Sequence, residues 1–227
     1  MLVLSERRFA KGALSPRAVS NNRRPDREEG GHDPRVECAM TEDALQPTLD
    51  PQLAALQPGA APRAGRSELY RDLLSRFPAG VTVVTAFDER GEPRGLTLIA
   101  FCGVSLEPPL VLVCVDRNSN TLPAIRHSGG FTVNFISSRS DHVARLMATK
   151  SADKFERIPW KAPGTAPGGP ILDQDSTAHL VCKTVNEVLA GDHWVFLGEV
   201  LDGGAVEGAE PLVFHRREFR DLLDDGG

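Results

Sequence analysis

From residue 80 onward the chain is a succession of runs rich in Val, Thr, Ile, Leu and Phe, at 80–87, 96–104, 110–116, 130–136, 178–189, 194–201 and 211–214, separated by turn residues. β-Branched and aromatic side chains suit a pleated, half-buried surface, so these seven runs are predicted strands. Only two short helical patterns interrupt them, at 121–127 and 141–148, the second with Val143, Leu146 and Met147 on one side. A parallel sheet needs a crossover helix between most of its strands. The pattern therefore points to a closed antiparallel barrel.

Upstream, Ser67 is placed to cap a helix whose first turn carries Glu68. Leu69, Leu73, Leu74 and Phe77 recur at helical spacing until Pro78 and Gly80 stop it. Residues 1–65 read differently, with seven prolines and one aromatic residue, Phe9, too little apolar surface to offset ordering entropy. We expect a disordered extension over 1–65 and one domain over 66–227. Met40 lies in the extension, and translation from it would remove much of the tail.

The chain holds 26 Lys and Arg against 31 Asp and Glu, a net charge of -5. Residues 1–65 hold nine of each sign, so the remaining 17 basic and 22 acidic side chains carry the whole acidic excess. Such a domain repels phosphate backbones and anionic lipid, which disfavours nucleic acid and membranes as partners. No stretch approaches the roughly 20 apolar residues that span a bilayer, and no apolar signal core opens the chain. A cytoplasmic location is expected. Cys38, Cys102, Cys114 and Cys182 form no CxxC pair and have no histidine at ligand spacing, so no metal is expected.

Common catalytic signatures are missing: no GxGxxG follows a strand, no phosphate loop ends in Gly-Lys-Ser/Thr, and neither GxSxG nor HExxH occurs. Residues 95–109 form a strand and a turn sealed by Pro108 and Pro109. Thr97, Gly103 and Ser105 in it would let a flat ligand approach the backbone, although an ordinary buried strand carries the same residues. Arg117, Asn118, Ser119 and Thr121 cluster before a helical pattern, the composition of an anion site or of plain N-capping beside a solvated arginine. His193 lies in a Gly-Asp-His turn between two strands, either at a ligand-facing strand mouth or simply in solvent. His127, His142 and His179 read as surface or strand residues.

Nine short motifs follow one another in a specific order: FPAGVTVVT (77–85), GLT (95–97), VSLEPP (104–109), RNSNTLP (117–123), FTVN (131–134), DKF (153–155), GDH (191–193), FLGEV (196–200) and PLVFHR (211–216). Their order and spacing resemble the flavin reductase family, the small reductase components of two-component flavin-dependent monooxygenases. The resemblance covers nearly all of residues 67–220. It implies an all-β/α+β fold, an antiparallel split β-barrel with a few short flanking helices, as a homodimer with FMN or FAD in a cleft near the subunit interface. Thr97, Leu98, Ile99, Ala100 and Ser105 would line the isoalloxazine, and Asn118, Ser119 and Thr121 would hold the ribityl phosphate end, with Arg117 beside them. Lys154 and Phe155 would border the same cleft, and the catalytic His193 would face the nicotinamide. Arg216 would contact dinucleotide phosphate, or stay solvated. Two positions depart from the family pattern: Ile99 stands where Asn is common, leaving backbone groups to bond the flavin edge, and Phe214 stands where Tyr is frequent.

The implied activity is reduction of FMN or FAD by NADH or NADPH, with reduced flavin passed to a partner monooxygenase. Such chemistry needs positioned cofactors and no protein nucleophile, which agrees with the missing acid–base pair. Two other readings stay open. One is a non-catalytic flavin carrier or sensor, suggested by Ile99; the other is an oxidase or oxygenase that retains its flavin on the same barrel.

Overall fold

The computed structural model describes residues 66–164 and 167–222. The expected disordered extension over 1–65 lies outside the described residues. Helix α1 (Arg66–Ser75) leads into β1 (Ala79–Gly80), β2 (Thr82–Phe87), β3 (Pro93–Leu98), β4 (Phe101–Leu106) and β5 (Pro109–Asp116). After α2 (Leu122–Ser128) come β6 (Gly130–Ile136), α3 (Asp141–Ala148) and a 3₁₀ turn at Lys154–Glu156. The long hairpin β7 (Ser176–Ala190) and β8 (His193–Ala205) follows, then β9 (Leu212–His215) and β10 (Glu218–Asp221).

Seven of these strands form one antiparallel sheet in the order β3-β2-β6-β7-β8-β5-β4, and β1, β9 and β10 pair in a small sheet of their own, β1-β9-β10. The two outermost strands, β3 and β4, are consecutive in the chain and joined only by Ile99 and Ala100. A seven-stranded sheet can meet that restraint only by curling until its edges approach, which makes the barrel. The edges share no ladder, which leaves it split. The continuous apolar run at 96–104 thus belongs to two strands, β3 on β2 and β4 on β5, that bend apart at Ile99.

The barrel is filled by Val84, Leu98, Val113, Phe131 and Phe196, all fully buried. Helix α2 closes one end, inserting Leu122, Ala124 and Ile125 into the same cluster, with Pro123 in its first turn and Gly129 ending it at φ 66°. β2 is covered on its outer face as well: Val83, with Val81 just before it, packs beneath Val143, Ala144 and Met147 of α3 and Leu212 of β9. Burial on both faces explains why β2 reads as an unbroken apolar run rather than an alternating one.

The outer face also carries a buried polar strap. Thr85 Oγ1 donates to Pro170 O at 2.6 Å, Thr132 Oγ1 to Gly169 O at 2.8 Å, and the Asn134 amide bonds Pro170 O and Leu172 N. These bonds fasten the stretch from Gly169 to Leu172 to β2 and β6, satisfying backbone groups that no ladder reaches. A Cβ at Gly169 would sit 2.2 Å from the Thr85 backbone, so only glycine fits there. Helix α1 behaves unlike its sequence pattern, because Leu69, Leu73 and Phe77 are more than half exposed. What holds it is polar: Arg217 pairs with Glu68 at 2.7 Å, and Arg216 N–H donates to Ser75 O at 2.6 Å.

Candidate active site

A cleft of about 400 Å³ opens between two walls. One wall is β3 from Pro93 to Leu96 together with the chain from Met147 to Phe155; the other is the turn between β5 and α2. Volume and mixed lining suit a nucleotide-sized ligand.

The first wall is held by buried bonds. Thr97 Oγ1 donates to Ala144 O at 2.6 Å, tying β3 to α3. Lys154, only 9% exposed, donates through Nζ to Gly95 O at 3.2 Å and Met147 O at 2.9 Å. Burial pulls its pKa down to about 8. Phe155 lies over Gly95, where a Cβ would come 3.0 Å from the Phe155 ring, and Phe155 stacks edge-on to Trp160. Arg94 is locked onto Asp88 by two bonds, Nε at 3.0 Å and Nη2 at 2.7 Å.

The second wall is built from short-range turn chemistry. Asp116 Oδ1 accepts from the Asn118 N–H at 2.7 Å, and Ser119 Oγ accepts from the Thr121 N–H at 3.2 Å. Asn118 and Asn120 are exposed, whereas Thr121 is buried at the start of α2. Arg117 points into solvent, and its N–H donates to Asp192 O at 3.1 Å, which fastens this turn to the Gly-Asp-His turn.

His193 stands directly opposite Asp116 in the β5–β8 ladder and is 7% exposed. Its Nδ1 lies 2.7 Å from Asp192 Oδ1, and its Nε2 is buried with no protein partner. The His193 hydrogen bond holds the Asp192 carboxyl below its ordinary pKa, outweighing the opposite effect of desolvation. In the neutral ring, donation of Nδ1–H to the carboxylate leaves Nε2 as an acceptor.

The structure thus brings Asn118, Ser119, Thr121, Lys154 and Phe155 together around the cleft, with His193 opposite its Asp116 edge. The remaining residues singled out in the sequence lie elsewhere. The Thr97 hydroxyl is turned to α3, and Leu98 belongs to the barrel core. Ile99 packs toward the outer cluster, while Ala100 O accepts from the Cys114 N–H. Ser105 sits on β4 opposite Leu110, beside a register shift at Gly103. Arg216 occupies the β9–β10 turn at φ 50°, next to Ser75, and does not line the cleft. The cleft residues not singled out as site candidates in the sequence include Arg94, Gly95, Asp116, Asn120 and Lys150. Gly95 and Asn120 stood inside recognised motifs and Asp116 beside one; nothing in spacing marked Lys150 or Arg94.

Residues 74–223 match the flavin reductase like domain family. The chain belongs to this family of oxidoreductases. It is 36% identical over 172 residues to a flavin reductase (NADH) of Kitasatospora aureofaciens, spanning 75% of this chain and 90% of that one. It is 35% identical over 156 residues to the flavin-dependent monooxygenase reductase subunit HsaB of Rhodococcus jostii, 69% of this chain and 78% of that one. Among solved structures, the NADH:FAD oxidoreductase SgcE6 of Streptomyces globisporus, in complex with NAD and FAD fragments, aligns with a TM-score of 0.66 at 31% identity, covering 74% of this chain and 100% of that one. The family's split barrel is the architecture described above. A flavin and a dinucleotide fit what the site presents: a cleft of suitable size, a buried ammonium with no ion pair among the described residues, and, paired to the cleft's Asp116 edge, an orphaned buried ring nitrogen at His193 Nε2.

Among the described residues no cluster of His, Cys, Asp and Glu could hold a metal ion, and no helix is long and apolar enough to cross a membrane.

Proposed function

We propose that this chain reduces free FMN or FAD with NADH or NADPH and hands the reduced flavin to a partner monooxygenase, residues 66–227 forming the catalytic domain. The observation that carries the reading is the two-walled cleft, with His193, whose Nε2 is buried and unpartnered, paired in the ladder to Asp116 on its edge. When both groups are bound, the nicotinamide supplies hydride and the flavin accepts it. The protein's part is to stack the two, exclude water and neutralise phosphate charge. Ser119, Asn118 and Thr121 would receive the phosphate end, Arg117 adding charge from outside. The Asp192 carboxylate fixes the His193 ring so that Nε2 accepts an N–H, which the nicotinamide amide can offer. Backbone around Ile99 and Ala100, with Ser105, would meet the flavin edge from the strand side.

That second group of residues lies on or beside β4, an edge strand that exposes Val104 at 48% and Leu106 at 93%. An edge strand with exposed apolar side chains calls for a cover, as does the apolar stripe of α1. A second copy of the chain would supply it, so the active form is a homodimer. A cytoplasmic location accords with free thiols at Cys102, Cys114 and Cys182 and with a nicotinamide donor.

Purified protein mixed with NADH or NADPH and FMN or FAD should consume nicotinamide far faster than flavin alone. Absence of that consumption, with flavin still bound, would select the carrier or sensor reading. His193→Ala should raise the nicotinamide KM or lower kcat roughly tenfold or more, about 1.4 kcal/mol of transition-state binding; unchanged constants would remove His193 from the site.

A further inference from the structure

Buried lysines are almost always paired with a carboxylate, because an ammonium taken out of water without a counter-charge is costly. Lys154 is the exception here. It is 9% exposed, it lines the cleft, and no carboxylate among the described residues lies within ion-pair distance. Its two hydrogen-bond partners are neutral carbonyls on neighbouring segments, Gly95 O on β3 and Met147 O at the end of α3. An ammonium has three N–H donors, so one remains.

We propose that Lys154 is the internal counter-ion for the flavin phosphate: two of its N–H groups clamp β3 to α3, and the third, on the cleft side, is held for an anionic phosphate oxygen of the ligand. The inference rests on the flavin-binding reading above. The facing turn supports it, since Ser119, Asn120 and Thr121 place hydroxyl and amide groups across the cleft from this charge. Lys150 adds a second cation on the same wall. The clamp and the counter-ion are separable in principle. A neutral amine keeps two N–H donors, enough for both carbonyls, and turns a lone pair on any third partner. Deprotonation therefore leaves the wall standing and removes the phosphate contact.

The titration falls in a usable range, because burial alone brings the Lys154 pKa down to about 8. The charged groups around it are Arg94 on β3, already held by Asp88, Asp116 on the facing turn, Lys150 on its own wall, and the exposed Asp153 and Glu156 beside it. None of them contributes to the shift. A lysine whose pKa is lower folded than unfolded binds more protons unfolded between about 8 and 10.5, so its burial penalty is full below that window and eases as pH rises. Stability from this group and phosphate affinity therefore move in opposite directions above pH 8.

The experiment is equilibrium binding of FMN and of riboflavin, which lacks the phosphate, followed by flavin fluorescence from about pH 7 to 9.5, with ligand-free unfolding temperatures across the same range. For the wild-type chain the FMN Kd should rise about tenfold per pH unit above pH 8, riboflavin should stay level, and the fold should persist. Lys154→Arg should flatten the FMN profile, and Lys154→Met should weaken FMN about tenfold or more at pH 7 while sparing riboflavin. Equal losses for both flavins would place the charge against the heterocycle and overturn the phosphate assignment. A flat wild-type FMN profile with tight binding would overturn the counter-ion role altogether. Binding of neither flavin would instead bring down the flavin-binding reading itself, a result distinct from the other two.

Discussion

The two walls of the cleft differ in how far from home their bonds reach. On the β3–α3 side, Thr97 reaches Ala144, Lys154 reaches Gly95, and Phe155 lies on Gly95, contacts that join residues 47 to 60 positions apart and sit in the protein interior. On the side of the β5–α2 turn, Asp116 reaches Asn118 and Ser119 reaches Thr121, bonds between residues two apart and largely in solvent. The first wall is part of the core and can be altered only by altering stability. The second is a surface turn whose polar groups are left over for a ligand. A site with one fixed and one adaptable wall can anchor a ligand firmly on one side while adjusting to it on the other.

The contrast can be broken from either side. Phe155→Ala should be the most damaging change, because it empties a half-buried aromatic position under Trp160; we expect a loss of about 3 kcal/mol, read by denaturant titration. Thr97→Val leaves the Ala144 carbonyl without its buried hydroxyl donor and should cost about 1–2 kcal/mol, a drop of roughly 2–8 °C in Tm for a domain of this size. Gly95→Ala forces Phe155 and Met147 to give way by tenths of an ångström, costing on the order of 1 kcal/mol, and should raise the flavin KM by displacing the ring. Ser119→Ala removes only the Thr121 N–H contact and should cost about 0.5 kcal/mol of stability while weakening FMN more than riboflavin. If Ser119→Ala destabilised the fold as much as Thr97→Val, the distinction between the walls would be lost.

Much of the architecture was legible because strands announce themselves through β-branched runs and turns: β2, β5, β6 and the β7–β8 hairpin fall where the residues place them. The bend at Ile99 was not, since both flanking segments are apolar and only the pairing of β3 with β2 and of β4 with β5 separates them. β10 was missed as a strand because Glu218, Arg220 and Asp221 give it no apolar alternation. Helix α1 was legible as a helix, yet its stripe is not core, a fact that depends on what else packs there. In the site, the turn residues Asn118, Ser119 and Thr121 and the Asp-Lys-Phe segment were found through motif order. The sharing of Lys154 between two carbonyls could not be, because Gly95 is 59 residues away in sequence. Arg216 and Ser105 lie off this cleft, since a motif fixes position in the chain and the fold decides what surrounds it.

Hydride passing from nicotinamide to flavin in this cleft is the central claim, and anaerobic mixing of NADH with excess FMN tests it most directly. A trace of purified protein should bleach the flavin's visible absorbance over many turnovers, and the rate should saturate in both ligands. Bleaching no faster than in the protein-free mixture, or bleaching that stops after one equivalent per chain, would contradict it.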